Sequence, residues 1–472
     1  MKEAIKKVML VRLNSPLINK IKHPRSLRPP FTLKYMQALL LKRGIQVKLI
    51  DCAIEAIVLD RLAGLAIEWC PQLLVISESI LEYELVIRFA SQLKKRKQDI
   101  LIIVVGQGVG EDFLKDPSCS CIDFALKGEA EIELVNLIDE IENGTKITDL
   151  KSRYREKLLN LTLTVEDLNG LPFPVYEQQE LNRYSFVYPL KIYKRLKWGH
   201  ILSSRGCPYE CIFCSQTIRE SFGKNIRLRS AKNVVDEIEA LISRGANVIA
   251  FDDDNFTTVK EHVFSVCREI IERKISINWI CHARVDNLTR DLLVLMKEAG
   301  CILLRCGIES GSERVLKILK KGGAPHWKEK AGEVFQEAKK LGILTNALFL
   351  IGNPTETVSD IEESIALAKQ LAPDIIQVAF FTPYLGSPAY EEYRDKLTSV
   401  PLSQMYHYKP VMVNFSQVGA KELALLQRKL YGSILLTPEF ILKHIRDYGL
   451  FYLFNHRVFF KLLRGAAGID KQ

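Results

Sequence analysis

The sequence predicts an α/β protein built as a doubly wound parallel sheet, then a parallel barrel, then a helical extension. Three observations carry that prediction. Short, near-continuous apolar runs such as 100–105 and 248–251 recur along the chain, as strands buried on both faces of a parallel sheet require. Amphipathic stretches that end at glycine lie between them, for example 234–244 before Gly245 and 290–299 before Gly300. After residue 395 the strand-like runs stop and a helical, aromatic pattern takes over.

A chain of 472 residues can hold two or three separate cores. It is 47% hydrophobic and 26% charged, the make-up of an ordinary globular protein. The apolar run in residues 1–10 is too short for a signal peptide, and no uninterrupted apolar stretch reaches the length of a bilayer span. The expectation is a cytoplasmic protein with reduced thiols. The net charge of +10 suits anionic ligands, an acidic partner or a membrane surface. No compact basic block with interleaved aromatics argues for nucleic acid.

Within residues 1–145, strands are expected at 8–11, 47–50, 73–76, 100–105 and 123–126. Helices are expected at 31–43, stopped by Gly44, at 83–97, and from Gly128-Glu129-Ala130-Glu131 to about residue 142. Such a doubly wound (Rossmann-like or flavodoxin-like) sheet binds ligands beyond the C-terminal ends of its strands. Gly106, Gly108 and Gly110 follow one of those ends, where they would let a flat ligand approach the backbone; a plain strand-to-helix turn is the alternative. Residues 146–195 read as a charged, irregular linker, broken at Leu171-Pro172-Phe173-Pro174. Within 196–395, strands at 200–204, 248–251, 277–281, 302–307, 344–351 and 376–382 imply a parallel barrel with right-handed crossovers. Its functional residues should stand at the C-terminal strand ends.

The densest chemistry follows the first barrel strand: Arg205-Gly206-Cys207-Pro208-Tyr209-Glu210-Cys211-Ile212-Phe213-Cys214. Of 11 cysteines, only Cys207, Cys211 and Cys214 have ligand spacing, while Cys52, Cys70, Cys267 and Cys301 read as small core residues. Three thiolates on one tight loop can hold three corners of a cubane iron–sulfur cluster, leaving one iron open. Zinc would need a fourth ligand, and no Cys or His follows before His262. Structural cysteines, or a fourth ligand from far along the chain, are the alternatives.

The C-x3-C-x2-C pattern, with the aromatic Phe213 before its last cysteine, resembles the signature of the radical S-adenosylmethionine (SAM) enzymes. The resemblance implies a partial (β/α)6 barrel of the TIM type and a [4Fe–4S] cluster on Cys207, Cys211 and Cys214. The unique iron would be chelated by SAM, which is cleaved reductively to a 5′-deoxyadenosyl radical. It also implies a reductant such as flavodoxin or ferredoxin. Further strand ends share the resemblance. In Asp252-Asp253-Asp254, adjacent carboxylates repel unless a cation is near, and Asp253 or Asp254 would meet the SAM amino group; an acidic helix N-terminus is the alternative. Arg284 matches a family arginine near the SAM carboxylate, and His282 reads as a proton donor or as a packed histidine. Gly307-Ile308-Glu309-Ser310-Gly311-Ser312 resembles a SAM segment, with Glu309 accepting from ribose hydroxyls and Ser310 beside it. Backbone at Ile351 and Gly352 would pair with adenine, with Thr355 or Thr357 capping the next helix.

Residues 1–145 resemble the cobalamin (B12)-binding domain that precedes many such barrels. Arg28-Pro29-Pro30-Phe31, Val104-Val105-Gly106-Gln107-Gly108 and Lys127-Gly128-Glu129-Ala130-Glu131 carry that likeness. D-x-H-x-x-G is missing and His23 is the only histidine there. The expectation is a corrinoid beside Gly106, Gly108 and Gly110 with no protein nitrogen on cobalt, or a domain that keeps the fold without the cofactor. The expected reaction is cobalamin-dependent C-methylation of a small molecule, with cyclisation or rearrangement as the alternative. A non-catalytic iron–sulfur protein is the alternative from another class. Residues 396–472 read either as helices closing the barrel or as a basic amphipathic surface touching lipid; peripheral membrane contact would fit a hydrophobic substrate.

Overall fold

The computed structural model describes residues 4–14, 28–78, 82–106, 109, 117–160, 163–184, 196–214, 225–321, 326–398, 400–401, 405, 407 and 413–448. Its first sheet holds β1 (Lys7–Arg12), β2 (Gln46–Asp51), β3 (Leu73–Glu78), β4 (Leu101–Gly106) and β5 (Phe124–Lys127). All pair in parallel in the order β2-β1-β3-β4-β5. This is the flavodoxin-like order, whose switch point lies between β1 and β3. Period-2 alternation explains the continuous apolar runs: Met9, Leu74, Ile76, Ile102 and Val104 enter one core layer, and Val8, Leu10, Val75, Ile103 and Val105 the other. Each such side chain contributes about 1.5–3 kcal/mol relative to exposure.

Besides the one-turn helix Cys52–Glu55, two longer helices here escape the sequence reading. One is Leu59–Trp69. The other, Ile147–Asn160, corrects the expectation of an irregular linker from residue 146. Leu150, Tyr154 and Leu158, spaced four apart, are buried, and Tyr154 meets Phe124 of β5 edge-on at 5.6 Å. Its polar residues face outward, so three apolar positions suffice to dock it on the sheet edge.

The second sheet holds β6 (Trp198–Ile201), β9 (Val248–Phe251), β10 (Asn278–Ala283), β11 (Cys301–Glu309), β12 (Leu344–Ile351) and β13 (Ile375–Phe380). Every pairing is parallel, and the order β13-β12-β11-β10-β9-β6 leaves it open at both ends. The strand expected at 200–204 is split: β6 stops at Ile201, and β7 (Ser204–Arg205) turns to pair antiparallel with β8 (Arg227–Leu228). The cysteine loop leaves from β7. Helices pack on one face of the six strands. On the opposite, inner face, Trp198, Ala250, Ile280, Leu303, Leu344 and Ile375 form an apolar plug.

The helix Ala420–Leu435 covers the open edge at β13. The Val378 N–H donates to the Tyr431 hydroxyl at 3.0 Å, and Gln427 Nε2 donates to the Val378 carbonyl at 2.9 Å, so side chains satisfy groups that an edge strand would leave open. Among the described residues no helix is long and apolar enough to cross a membrane. The aromatic stretch 451–460 of the lipid-contact reading lies outside the described residues.

Candidate active site

Gly206 takes φ +96°, a left-handed conformation that favours glycine, and turns the chain from β7 into the cysteine loop. Neighbours grip that loop on several sides. The Ile212 N–H donates to the Leu319 carbonyl, and the Ala389 N–H to the Ile212 carbonyl, each at 3.1 Å. Ile212 and the half-buried Phe213 pack with Val315, Leu350 and Phe381. The Tyr209 hydroxyl donates to Asn287 Oδ1 at 3.1 Å, and the Arg284 guanidinium lies 3.7 Å above the Tyr209 ring.

Cys211 is buried, Cys207 and Cys214 are half-buried, and all three are free thiols. Burial raises each thiol, Cys214 to about 12 with Asp254 as the next cause; Lys321 and Arg284 draw Cys211 back down. Cys207 and Cys214 each feel the charge of Cys211. Among the described residues no three His, Cys, Asp or Glu side chains converge as ligands of a single metal ion. A cubane asks for a wider arrangement, one thiolate on each of three irons, and three free thiols on one fixed loop fit it.

The three aspartates after β9 do not share a cation. Asp252 binds His200 Nδ1 at 2.6 Å and Arg28 Nε at 3.0 Å. Asp253, wholly buried, accepts from the Ser203 N–H at 3.2 Å and hydroxyl at 2.8 Å and from the Ser204 hydroxyl; it fixes the corner before β7. Asp254 is exposed to solvent, yet burial lifts its carboxyl to about 6, with Arg28 lowering and Asp253 raising it. It acts on Cys207 and Cys214, so of the two expected residues Asp254 is the one that faces the cysteines.

Arg284, expected at a ligand carboxylate, is engaged by its own neighbourhood. Nε and Nη2 donate to Asp286 at 3.0 and 2.7 Å, and Nη2 also to the Lys321 carbonyl at 3.0 Å. Asp286, two residues on, meets the fork locally, and the guanidinium clamps the cysteine loop through Tyr209. His282 Nε2 lies 2.8 Å from Arg28 Nη2 and 2.6 Å from Arg305 Nη1. Arginine only donates, so that nitrogen is an acceptor and the ring is neutral. Burial, then Arg305, Arg28 and Lys321, push its pKa well below the ordinary value. Proton donation through Nε2, one reading of the sequence, is thereby removed.

Glu309 sits at φ +66° where β11 slips register, and its Oε1 pairs with Lys321 Nζ at 3.2 Å. A Cβ on Gly307 would stand 2.4 Å from Glu309 Oε1, so glycine makes room for this pair. Ser310 and Gly311 turn to the helix Val358–Leu371: the Gly311 N–H donates to Ser364 Oγ at 2.8 Å, and a Cβ there would stand 2.3 Å from the Glu363 carbonyl oxygen. At the end of β12, the Ile351 carbonyl accepts from the Phe381 N–H at 2.8 Å and the Gly352 N–H donates to Glu356 at 2.6 Å. The backbone expected to meet adenine thus already has partners within the chain. Thr357 caps the next helix in a capping box with Asp360, while Thr355, at φ +58°, accepts from Arg314.

Four residues had no role at the site in the sequence reading: Arg28, Arg305, Lys321 and Glu356. Burial lifts the Glu356 carboxyl to about 7. Nothing in the local pattern distinguishes Lys321 from a solvated charge, or Arg28 from its basic loop. In the first domain, Gly106 ends β4 at φ +149°; Gly108, Gly110 and His23 lie outside the described residues.

Charged contacts tie the two sheets together. Glu129 meets Arg227 Nη2 at 2.5 Å and Arg205 at 3.3 Å, and Glu131 meets Arg205 at 2.9 Å, all largely buried. Arg205 stands two residues before Cys207, so the first domain grips the root of the cysteine loop.

Residues 201–368 match the profile of the Radical SAM superfamily. An uncharacterized methyltransferase of Pyrococcus horikoshii is 27% identical over 438 residues, 89% of this chain and 90% of that one. The anaerobic magnesium-protoporphyrin IX monomethyl ester cyclase of Rubrivivax gelatinosus is 29% identical over 305 residues, 62% of this chain but only 52% of the cyclase, about half its length. Among solved structures, the radical SAM methyltransferase TsrM of Kitasatospora setae, with cobalamin and a [4Fe–4S] cluster bound, has a TM-score of 0.63 at 20% identity, over 84% of this chain and 76% of that one. At that identity the likeness is one of fold.

Proposed function

Residues 201–368 belong to the radical SAM superfamily, and from that footing we propose that this radical SAM enzyme is a cobalamin-dependent C-methyltransferase. The loop carrying Cys207, Cys211 and Cys214, faced by Asp254, is the observation that carries the radical chemistry. The full-length likeness to a methyltransferase supports the choice of reaction. Cyclisation or rearrangement is the second reading, favoured by the likeness to the cyclase.

Cys207, Cys211 and Cys214 would hold a [4Fe–4S] cluster, which when bound would supply the electron for reductive SAM cleavage. The buried thiols lose their protons as iron binds. Asp254, ionised above about pH 6, offers its charge to the cationic end of SAM, and Glu309, steadied by Lys321, accepts from ribose hydroxyls. Arg284 holds the loop in place through Tyr209. Gly106, at the C-terminal end of β4, fits the close approach of a corrinoid, which would supply a carrier for the methyl group. The partners in this reading are a small-molecule substrate and a reductant such as flavodoxin or ferredoxin.

The test is anaerobic reconstitution with iron, sulfide, hydroxocobalamin, SAM and a reductant. Methyl transfer predicts corrinoid uptake, with S-adenosylhomocysteine formed beside 5′-deoxyadenosine. 5′-Deoxyadenosine without S-adenosylhomocysteine would favour the second reading. No cleavage of SAM by protein with a full cluster would overturn both.

A further inference from the structure

Two places after each strand's member of the apolar plug stands a polar residue, within the strand or, for Asp252, directly past its end: His200, Asp252, His282, Arg305, Asn346 and Gln377. Period 2 puts all six on the inner face, one layer nearer the cysteine loop. Parallel barrels ordinarily fill such layers with bulky apolar side chains. Burying polar groups instead is unfavourable unless each is bonded. Part of the layer is bonded: His200 to Asp252 at 2.6 Å, and Asn346 Nδ2 to Gln377 Oε1 at 3.4 Å. Arg28 reaches in from the first domain, its side chain 43% exposed, and joins Asp252 to His282.

Two features of the layer call for a ligand. His282 Nε2 has one in-plane lone pair, yet the guanidiniums of Arg28 and Arg305 both lie within 2.8 Å of it. Two cations from different domains thus converge on one neutral atom, with Lys321 adding positive potential. Independently, Asn346 is wholly buried and its Oδ1 has no hydrogen-bond partner. Whichever way the amide is turned, one polar end lacks a partner. An oxyanion between the guanidiniums would replace a contest for one lone pair by charge-assisted, fork-matched bonds. A polar group beside that anion would meet Asn346.

We propose that this layer is the substrate-recognition site and that it takes a substrate bearing a carboxylate or phosphate, held between Arg28 and Arg305. The assignment rests on the radical SAM reading, which places the reacting carbon between the layer and the cysteine loop. It runs against a wholly hydrophobic substrate. Because Arg28 belongs to the first domain, a bound anion would also fasten the two domains together.

The experiment uses the full chain, reconstituted anaerobically and saturated with SAM, titrated calorimetrically at low ionic strength with inorganic phosphate and, separately, acetate. One site per chain is expected. Arg305→Gln and Arg28→Gln should each weaken binding about ten-fold or more, and Arg305→Lys should recover part of the loss because it keeps the charge without the fork. Arg28→Gln, on the more exposed side chain, reports even if the Arg305 variants do not fold. Lys232→Gln, on an exposed helix face, should bind as the wild type does. Tighter phosphate binding supports a phosphoryl-bearing substrate, and tighter acetate binding a carboxylate. If both anions bind the SAM-free protein but not the SAM-saturated one, the guanidiniums serve the SAM carboxylate and the proposal falls. It falls too if neither anion binds a wild type that holds its cluster and cleaves SAM. That result is distinct from failure to cleave SAM, which would sink the functional reading instead.

Discussion

Asp254 and Arg284 show how one residue's surroundings decide its task. With the Asp254 carboxyl raised to about 6 by burial, its neutral form is favoured in the folded protein. The group therefore adds stability at acid pH that is lost as pH rises through about 6. Its use to a cation runs the opposite way, because only the ionised form attracts one. SAM affinity should drop about ten-fold from pH 7 to 5, and Asp254→Asn should flatten that profile in a calorimetric series. A steep profile surviving in the Asn variant would assign the titration elsewhere. Arg284 and Glu309 should separate by readout. Glu309→Gln should weaken SAM binding by about 1–3 kcal/mol with iron content unchanged. Arg284→Ala removes the clamp on Tyr209 and should lower the iron retained. Cys211→Ala should abolish the full complement of about four irons, while Cys301→Ala, in the core, should retain it. The cysteines were legible because spacing alone encodes a loop ligand set. The clamp was not, because the pairing with Asp286 and the stack on Tyr209 depend on three-dimensional placement.

At the scale of elements, legibility followed burial. β9 and β12 have the limits expected from sequence, 248–251 and 344–351, since apart from Thr345 and Asn346 their residues are apolar, as strands covered on both faces require. β6 was misjudged because His200, Ser203 and Ser204 are polar yet buried, and local pattern cannot distinguish an inward polar layer from the end of a strand. The helix Ile147–Asn160 was missed for a related reason: its apolar stripe is three residues long and its sequence otherwise charged. That stripe makes a prediction. Leu150 is wholly buried against the first sheet, so Leu150→Ala should cost about 2–5 kcal/mol in urea unfolding. Substituting the exposed Lys151 or Arg153 should cost under about 0.5 kcal/mol. A small loss at Leu150 would mean the helix is a surface appendage.

For the whole molecule, the contacts that matter join segments far apart in sequence. Arg227 and Glu129 are 98 residues apart, and Arg205 and Glu131 are 74. The sequence carried Glu129 and Glu131 within Lys127-Gly128-Glu129-Ala130-Glu131 in one domain and Arg205 beside the cysteine loop in the other, but nothing local pairs them. The structure makes Glu129 the hub, its side chain fully buried between two guanidiniums, with the Val165 N–H donating to it at 2.6 Å. Breaking a buried ion network by deleting one partner strands the remaining charges and costs about 3–5 kcal/mol. Glu129→Ala should therefore loosen the grip of the first domain on the root of the cysteine loop. A calorimetric scan of the reconstituted protein should then divide into two transitions, and the iron retained on dilution should fall even though no cysteine has changed. Glu129→Gln, which keeps the acceptor geometry without the charge, should fall between. Arg273, in an ion network on the outer helices, is the control: Arg273→Ala removes three ion pairs from a more exposed site and should leave the iron unchanged. If Glu129→Ala melts in one transition and keeps its iron, the two domains are held by their apolar contacts and the charged latch is incidental.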